Sequence, residues 1–187
     1  MVDDLNKACE VLRKGGVILY PTDTIWGLGC DATREDAVKR IYEIKRRSDS
    51  KSMLTLLDSP TRLGYYIDDL PEIALDLIEC SDKPLTIIYS GAKNLASNLI
   101  AIDGTVGIRI TQEAFSQKLC RQFGKPIVST SANFSGEPTP ANFSEINKDI
   151  LRLVDYTVHY KRDETQKSKP SSIIRLDKNG VVKIIRE

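Results

Sequence analysis

The sequence is poor in the residues that mark metal sites, disulfide scaffolds and membrane spans. It has one histidine, His159, and four scattered cysteines without a C-x-x-C pair, which excludes a zinc framework and a disulfide scaffold. Its longest apolar runs, such as residues 17–20, fall far short of the roughly 20 residues that a bilayer span needs. The acidic start at Asp3 and Asp4 does not resemble a signal peptide, so we expect a cytoplasmic protein with no membrane partner.

Net charge is also nearly absent. The 27 lysines and arginines and the 26 aspartates and glutamates leave a net charge of +1, which excludes a globally basic nucleic-acid coat and an acidic disordered tail. The chain has 187 residues, of which 41% are hydrophobic, and this is enough to bury a sizeable core. We therefore expect one domain that spans residues 1–187.

Helix and strand patterns alternate along most of the chain. Asp3 or Asp4 is predicted to cap a first helix, and a second is predicted to begin near Thr33 and Asp36 and to end at about Lys45. Strands are predicted at 17–20, 53–57, 85–89, 105–110, 126–129, 156–160, 172–176 and 181–185, further helices at 71–79 and 111–123, and a loop at 161–169. This alternation predicts an α/β protein with a mixed sheet and flanking helices.

Three polar stretches follow predicted strands or helices, where open α/β sheets bind their ligands. Residues 21–30, PTDTIWGLGC, would let backbone amides approach a ligand, although a strand-turn-strand with structural glycines has the same composition. Residues 39–51 hold six basic and two acidic side chains, which suits a phosphate, although cations at a helix C-terminus also complement the helix dipole. Residues 129–139, STSANFSGEPT, offer donors and acceptors for a phosphate, ribose or carboxylate, or form a capped loop.

Several familiar motifs of catalysis and nucleotide binding are missing. There is no G-x-S-x-G elbow, and His159 lies in a predicted strand, so a serine nucleophile is not expected. Neither the P-loop pattern nor G-x-G-x-x-G occurs, so a nucleotide would have to be held by another arrangement.

The polar stretches, together with VGIR at 106–109 and PSSII at 170–174, resemble the YrdC/TsaC family of threonylcarbamoyl-AMP synthases. The matching segments run in order along nearly the whole chain. The resemblance implies a YrdC-like fold, in which a twisted, mixed and largely parallel sheet with flanking helices surrounds a positively charged cavity. It also implies that L-threonine, bicarbonate or CO2, and ATP are converted to threonylcarbamoyl-AMP and pyrophosphate, with Mg²⁺ accompanying the ATP. The product would pass to a transferase complex that modifies tRNA.

The resemblance further implies roles for individual residues. The K-x-R and S-x-N pairs that resemble the family's catalytic group are Lys45, Arg47, Ser131 and Asn133. The implied ATP contacts are Arg47, Lys51, Thr105, Ser131, Thr139 and Arg186. The implied L-threonine contacts are Thr24, Arg109, Ser129 and Ser172. No residue is implied as a metal ligand, and Leu56 stands where some family members place a histidine against threonine.

Two alternatives remain open at this point. One is an RNA-binding or ribosome-associated module of the same fold, because a basic concave surface would also attract a phosphate backbone and bind tRNA or other RNA weakly. The other is a carbamoyl-adenylate enzyme that uses a different acceptor, as in the related hydrogenase-maturation domain.

Overall fold

A nine-stranded sheet runs through the described part of the chain. The structure is a computed structural model and describes residues 1–46, 53–165 and 170–187. In chain order the strands are β1 (Ile18–Tyr20), β2 (Gly27–Gly29), β3 (Leu54–Leu57), β4 (Leu85–Ser90), β5 (Thr105–Ile110), β6 (Ile127–Ser131), β7 (Tyr156–Thr157), β8 (Ser172–Leu176) and β9 (Val182–Arg186). They lie side by side in the order β7-β1-β2-β6-β3-β5-β4-β8-β9.

The sheet is mixed, as predicted. Among the described strands, β1 and β7, β3 and β5, and β4 and β8 pair in parallel, and the other five neighbouring pairs are antiparallel. Antiparallel pairs therefore outnumber the parallel pairs that the resemblance led us to expect. The reason is that β1–β2 and β8–β9 pair directly as antiparallel neighbours in sequence, and β6 runs antiparallel to the strands on both its sides.

Six α-helices flank this sheet in the described residues. They are α1 (Val2–Arg13), α2 (Glu35–Lys45), α3 (Leu63–Tyr66), α4 (Ile73–Glu79), α5 (Ala114–Phe123) and α6 (Lys148–Leu153). Helices α1, α2 and α5 bury their apolar sides in a larger core cluster, and α3 and α4 bury theirs in a smaller one. None of the helices in the described ranges is long and apolar enough to cross a membrane.

Strand alternation decides where the polar side chains lie. Ile87, Ile108 and Ile174 point from β4, β5 and β8 into the smaller core cluster. Successive side chains of a strand point to opposite faces, so their neighbours Thr86 and Arg109 lie on the other face of the sheet. This second face carries the candidate site.

The beginning of the first helix differs from the prediction. The helix begins at Val2, so Asp3 and Asp4 lie inside its first turn instead of capping it. The carboxylate of Asp4 is nearly buried and accepts hydrogen bonds from Tyr156 Oη at 2.5 Å and from the backbone N–H of His159 at 2.9 Å. Asp4 therefore ties the N-terminal helix to the region around β7.

The second helix and the first hairpin also depart from the pattern. Helix α2 ends at Lys45 as predicted but begins at Glu35, and the Thr33 hydroxyl donates to Asp31 Oδ1 at 2.6 Å. Strand β2 fits the strand-turn-strand alternative for residues 21–30, although apolar alternation did not indicate it. A Cβ atom on Gly29 would lie 2.5 Å from the Tyr20 ring, so the close approach of this strand to β1 requires glycine. Short, glycine-rich strands lack the apolar alternation on which the prediction depends.

Candidate active site

A cavity of about 430 Å³ opens on the polar face of the sheet. Its walls come from the loop at 22–27, the end of β6 at 129–131, the segment at 139–141, and side chains of β3, β5 and β9. We call it the Arg109 cavity. Six of the predicted site residues line it: Thr24, Arg109, Ser129, Ser131, Thr139 and Arg186. The structure thus brings together residues that are up to 162 positions apart in the sequence, the separation of Thr24 and Arg186 (186 − 24 = 162).

Arg109 supplies a buried positive charge at the base of this cavity. Its side chain is 3% exposed, its Nε donates to Thr86 Oγ1 at 3.1 Å, and its Nη2 donates to Ser171 Oγ at 2.9 Å. Burial lowers the pKa of the Arg109 guanidinium, and the nearby carboxylate of Asp23 partly offsets that shift. An arginine stays protonated at neutral pH even so, and its direction is set by the two hydroxyl acceptors.

Arg186 brings a second cation to the same cavity. Its Nε and Nη2 donate to the backbone carbonyl of Ser171 at 3.0 and 2.8 Å. Among the described residues that line the cavity, Arg109 and Arg186 are the ionised side chains, and both are positive. An anion bound there would relieve the repulsion between the two guanidinium groups, so the cavity is suited to a carboxylate or a phosphate.

Ser171 occupies the place that the sequence prediction assigned to Ser172. Ser171 lines the cavity, and its hydroxyl accepts from Arg109, whereas Ser172 is not among the lining residues. The two neighbours point to opposite faces of β8, and Ser172 shares its face with the core residues Ile174 and Leu176. Because alternate residues of a strand share a face, the apolar Ile174 and Leu176 predict that Ser172 faces the core and that Ser171 faces the other side.

Lys45 and Asn133 shape the cavity without lining it. The Lys45 side chain is almost fully buried, and its Nζ donates to the carbonyl of Ser131 at 2.5 Å and to that of Asn133 at 2.8 Å. The Asn133 amide donates to the carbonyl of Glu137 at 2.7 Å. The ammonium group is therefore engaged by the backbone of the loop that carries Ser131, and Ser131 is the member of the S-x-N pair that lines the cavity.

One further predicted residue lies away from the lining of the cavity. Thr105 is at the start of β5, and its hydroxyl donates to Asp103 Oδ1 at 2.7 Å, so the structure does not bring it to the cavity. Arg47 and Lys51 fall outside the described residues. Of the predicted ATP contacts, Ser131, Thr139 and Arg186 line the Arg109 cavity.

The apolar wall of the cavity comes from Leu54 and not from Leu56. Leu56 is fully buried in the larger core cluster, whereas Leu54 lines the cavity beside Trp26. The two leucines point to the same side of β3, but Leu54 is the one nearer the cavity end of the strand. The side chain at 56 therefore has no access to a ligand in the Arg109 cavity.

Asp23 is the buried charge that the sequence prediction missed. It lies between Thr22 and Thr24 in the loop that lines the cavity, and its side chain is only 5% exposed. The sequence did hold one indication of this, because Asp23 is a single carboxylate in an otherwise neutral loop that leads into a buried strand. A carboxylate at such a place needs hydrogen-bond donors when it is buried.

Comparisons with known proteins show similarity to one family. A family model named for Sua5, YciO and YrdC, and described as telomere recombination, matches residues 10–187. A threonylcarbamoyl-AMP synthase from Pseudoalteromonas translucida (strain TAC 125) is 35% identical over 154 residues, which cover 81% of this chain and 82% of that protein. A threonylcarbamoyl-AMP synthase from Vibrio cholerae is 36% identical over 149 residues, which cover 78% of this chain and 79% of that protein.

Two solved structures have the same fold. E. coli YciO superimposes with a TM-score of 0.83 at 28% identity and covers 98% of this chain and 88% of its own. P. abyssi Sua5 in complex with L-threonine superimposes with a TM-score of 0.82 at 26% identity over 92% of this chain. The matched region is 50% of that Sua5 chain, so this chain spans about half its length.

Proposed function

Because this chain belongs to the Sua5/YciO/YrdC family, we propose that it is a threonylcarbamoyl-AMP synthase. It would act as a nucleotidyltransferase that makes threonylcarbamoyl-AMP and pyrophosphate from L-threonine, bicarbonate or CO2, and ATP. The observation that carries the proposal is the Arg109 cavity, in which two arginines and several hydroxyls converge without an acidic group among the described lining residues.

The proposed reaction forms a carbamate and then transfers an adenylyl group to it. The threonine amine loses a proton and forms a C–N bond with CO2, which gives a carbamate. A carbamate oxygen then bonds to the α-phosphorus of ATP while the bond from that phosphorus to the bridging oxygen breaks and pyrophosphate leaves. ATP, the carbamate, the adenylate product and pyrophosphate are negatively charged, so orientation and neutralisation by fixed cations supply the catalysis, and no protein nucleophile is required.

The two sides of the cavity suit the two large substrates. Arg109 and Ser171, with Thr24 and Ser129 nearby, offer a guanidinium and hydroxyls to the threonine carboxylate. P. abyssi Sua5 was crystallised with L-threonine, which supports this assignment. Ser171 here takes the role that the resemblance implied for Ser172.

The nucleotide side is proposed to consist of Arg186, Ser131 and Thr139, held open by Lys45 and Asn133. Arg47 and Lys51 are proposed to complete it with further positive charge. Thr105 is left out of the proposed ATP contacts because it lies away from the cavity.

Magnesium is proposed as an ion that arrives with ATP. Among the described residues, no group of three or more histidines, cysteines, aspartates or glutamates could hold a metal ion. The donors around the Arg109 cavity are arginines and hydroxyls, which do not make a protein-held Mg²⁺ site. The phosphates of ATP, and not protein side chains, would therefore hold the ion.

The product is a reactive mixed anhydride and needs an acceptor. We propose that a transferase complex passes the threonylcarbamoyl group to tRNA, that any binding of tRNA or RNA by this chain is weak, and that these steps take place in the cytoplasm. The transfer step is supported by the reactivity of the mixed anhydride that a threonylcarbamoyl-AMP synthase makes.

The experiment is to measure pyrophosphate release with Mg²⁺, leaving out L-threonine, bicarbonate and ATP one at a time. We expect release only when all three are present, and an adenylate of the corresponding mass in rapid mass spectrometry. Pyrophosphate release that does not depend on L-threonine would indicate that the enzyme uses another acceptor. Strong, salt-dependent RNA binding with no release would favour the RNA-binding alternative instead.

A further inference from the structure

The carboxylate of Asp23 joins two segments that are far apart in the sequence. Its Oδ1 accepts backbone N–H bonds from Gln112 at 2.7 Å and from Glu113 at 2.9 Å, and its Oδ2 accepts from Thr111 Oγ1 at 2.8 Å. These donors lie at the start of α5, where free backbone N–H groups favour a negative charge. The loop that carries Thr24 is therefore fastened to the end of β5.

The same carboxylate faces the guanidinium of Arg109. Asp23 Oδ2 lies 3.9 Å from Arg109 Nη1, and both side chains are at most 5% exposed. This distance allows charge attraction but is too long for a hydrogen bond. Asp23 consequently stabilises the positive charge without occupying the Nη1 hydrogens, which a ligand in the cavity would need. The other end of the guanidinium is bonded to Thr86 and Ser171.

We infer that Asp23 is a positioning residue of the active site, which stabilises the positive charge of the Arg109 guanidinium and holds Thr24 beside it so that both meet the same anionic group. The inference rests on the proposed function, in which that group is the carboxylate of L-threonine. Asp23 itself does not touch the substrate in this account and acts through its two neighbours.

Asp23→Asn tests this role because it keeps the size of the side chain and one carbonyl oxygen for the backbone N–H groups, and removes the charge. We expect KM for L-threonine to rise about tenfold or more and kcat to fall, because small misplacements of a binding group are costly. KM for ATP should change much less. Asp23→Glu, which restores the charge, should recover part of the loss.

Asp58→Asn is the matched control. Asp58 is a carboxylate of 9% exposure that pairs with Arg62 at 2.7 Å, and it lines neither the Arg109 cavity nor the loop of Thr24. Asp58→Asn should lower the thermal stability without changing KM for L-threonine or KM for ATP. Equal KM values for L-threonine in wild type and Asp23→Asn would overturn the inference and leave the proposed function standing.

Two further measurements separate the inference from the function and from simple unfolding. Calorimetric binding of L-threonine should weaken in Asp23→Asn and not in Asp58→Asn, whether or not turnover is detected. If Asp23→Asn does not fold, Thr111→Val removes one donor to the same carboxylate and should raise KM for L-threonine about twofold to fivefold. A wild-type KM in Thr111→Val would then count against the inference.

Discussion

Two loops contribute to the lining of the Arg109 cavity, and each is held by one buried charge, of opposite sign in the two loops. The loop at 22–27 is held by Asp23, which accepts backbone N–H bonds from the residues just before α5. The loop that begins at Ser131 is held by Lys45, the last residue of α2, which donates to the carbonyls of Ser131 and Asn133. A carboxylate thus meets backbone N–H groups in one loop, and an ammonium meets backbone carbonyls in the other.

The comparison teaches that a charged residue in a functional motif need not face the ligand. The ammonium of Lys45 is engaged by the carbonyls of Ser131 and Asn133, so its contribution to binding is indirect. Asp23 is engaged in the same way but also stands 3.9 Å from Arg109, so it acts on a group that does face the cavity. The two walls should consequently respond differently when their charges are removed.

Lys45→Met should have the largest effect. Removing the ammonium takes a charged donor away from the carbonyls of Ser131 and Asn133, and a hydrogen bond to a charged group contributes roughly 1.5–3 kcal/mol. We expect denaturant unfolding to report this loss and pyrophosphate release to disappear as the Ser131 loop moves. Lys39→Met, an exposed position on the same helix, should leave both properties nearly unchanged. Full activity in Lys45→Met would show that the loop does not depend on this charge.

Ser131→Ala should affect activity and spare the fold. The hydroxyl lines the cavity and is proposed to meet the nucleotide, so we expect turnover to fall about tenfold or more while the unfolding free energy changes by less than about 1 kcal/mol. Ser97→Ala, which removes an exposed hydroxyl that donates to Glu35, is the control. An unfolding loss as large as that of Lys45→Met would mean that Ser131 is structural.

Leu54→Ala should produce a smaller change, limited to the amino-acid substrate. Leu54 lines the cavity, so we expect KM for L-threonine to rise about twofold to fivefold through the loss of apolar contact. Leu56→Ala, in the core, should instead lower stability by about 2–5 kcal/mol and leave KM unaltered in the folded fraction. A raised KM for L-threonine in Leu56→Ala, with an unchanged KM in Leu54→Ala, would show that position 56 and not position 54 affects threonine binding.

Asp4→Asn should have the smallest effect on activity, because the buried carboxylate of Asp4 lies away from the cavity. Burial alone would raise the pKa of the Asp4 carboxyl, but hydrogen bonds from Tyr156 and His159 outweigh it and lower that pKa to about 2 from 3.8. Because the folded-state pKa is lowered, the stabilisation is complete above the unfolded value near 3.8 and is lost as the pH falls through 2. Asp4→Asn should cost about 2 kcal/mol at pH 7 and much less at pH 2, measured by urea unfolding. A constant cost at both values would contradict this explanation.

Much of the site was predictable because its residues follow strands. Thr24 follows β1, Arg109 is the penultimate residue of β5 and Ser129 lies within β6, and the strand pairing brings all three to the cavity. The resemblance implied Ser172, whereas the cavity is lined by Ser171, and a one-residue shift along a strand reverses the face. Apolar alternation gave no indication of the short β2, although a strand-turn-strand was compatible with residues 21–30, and the need for Gly29 arises from a close approach that only the structure shows.

The buried charges could not be assigned from the sequence for a different reason. A lysine at the end of a helix and an aspartate in a polar loop are both commonly exposed, and their burial depends on backbone groups from distant segments. Lys45 is 86 residues from Ser131, and Asp23 is 90 residues from Glu113. These partners include backbone atoms of distant segments, which carry no mark of residue type.

The most direct test of the account follows isotopically labelled bicarbonate into the product, with wild type and Asp23→Asn compared at several L-threonine concentrations. The account predicts labelled threonylcarbamoyl-AMP that requires ATP and L-threonine, and an Asp23→Asn variant that needs much more threonine to reach the same rate. Unlabelled adenylate, or labelled product with the same threonine dependence in both proteins, would contradict it.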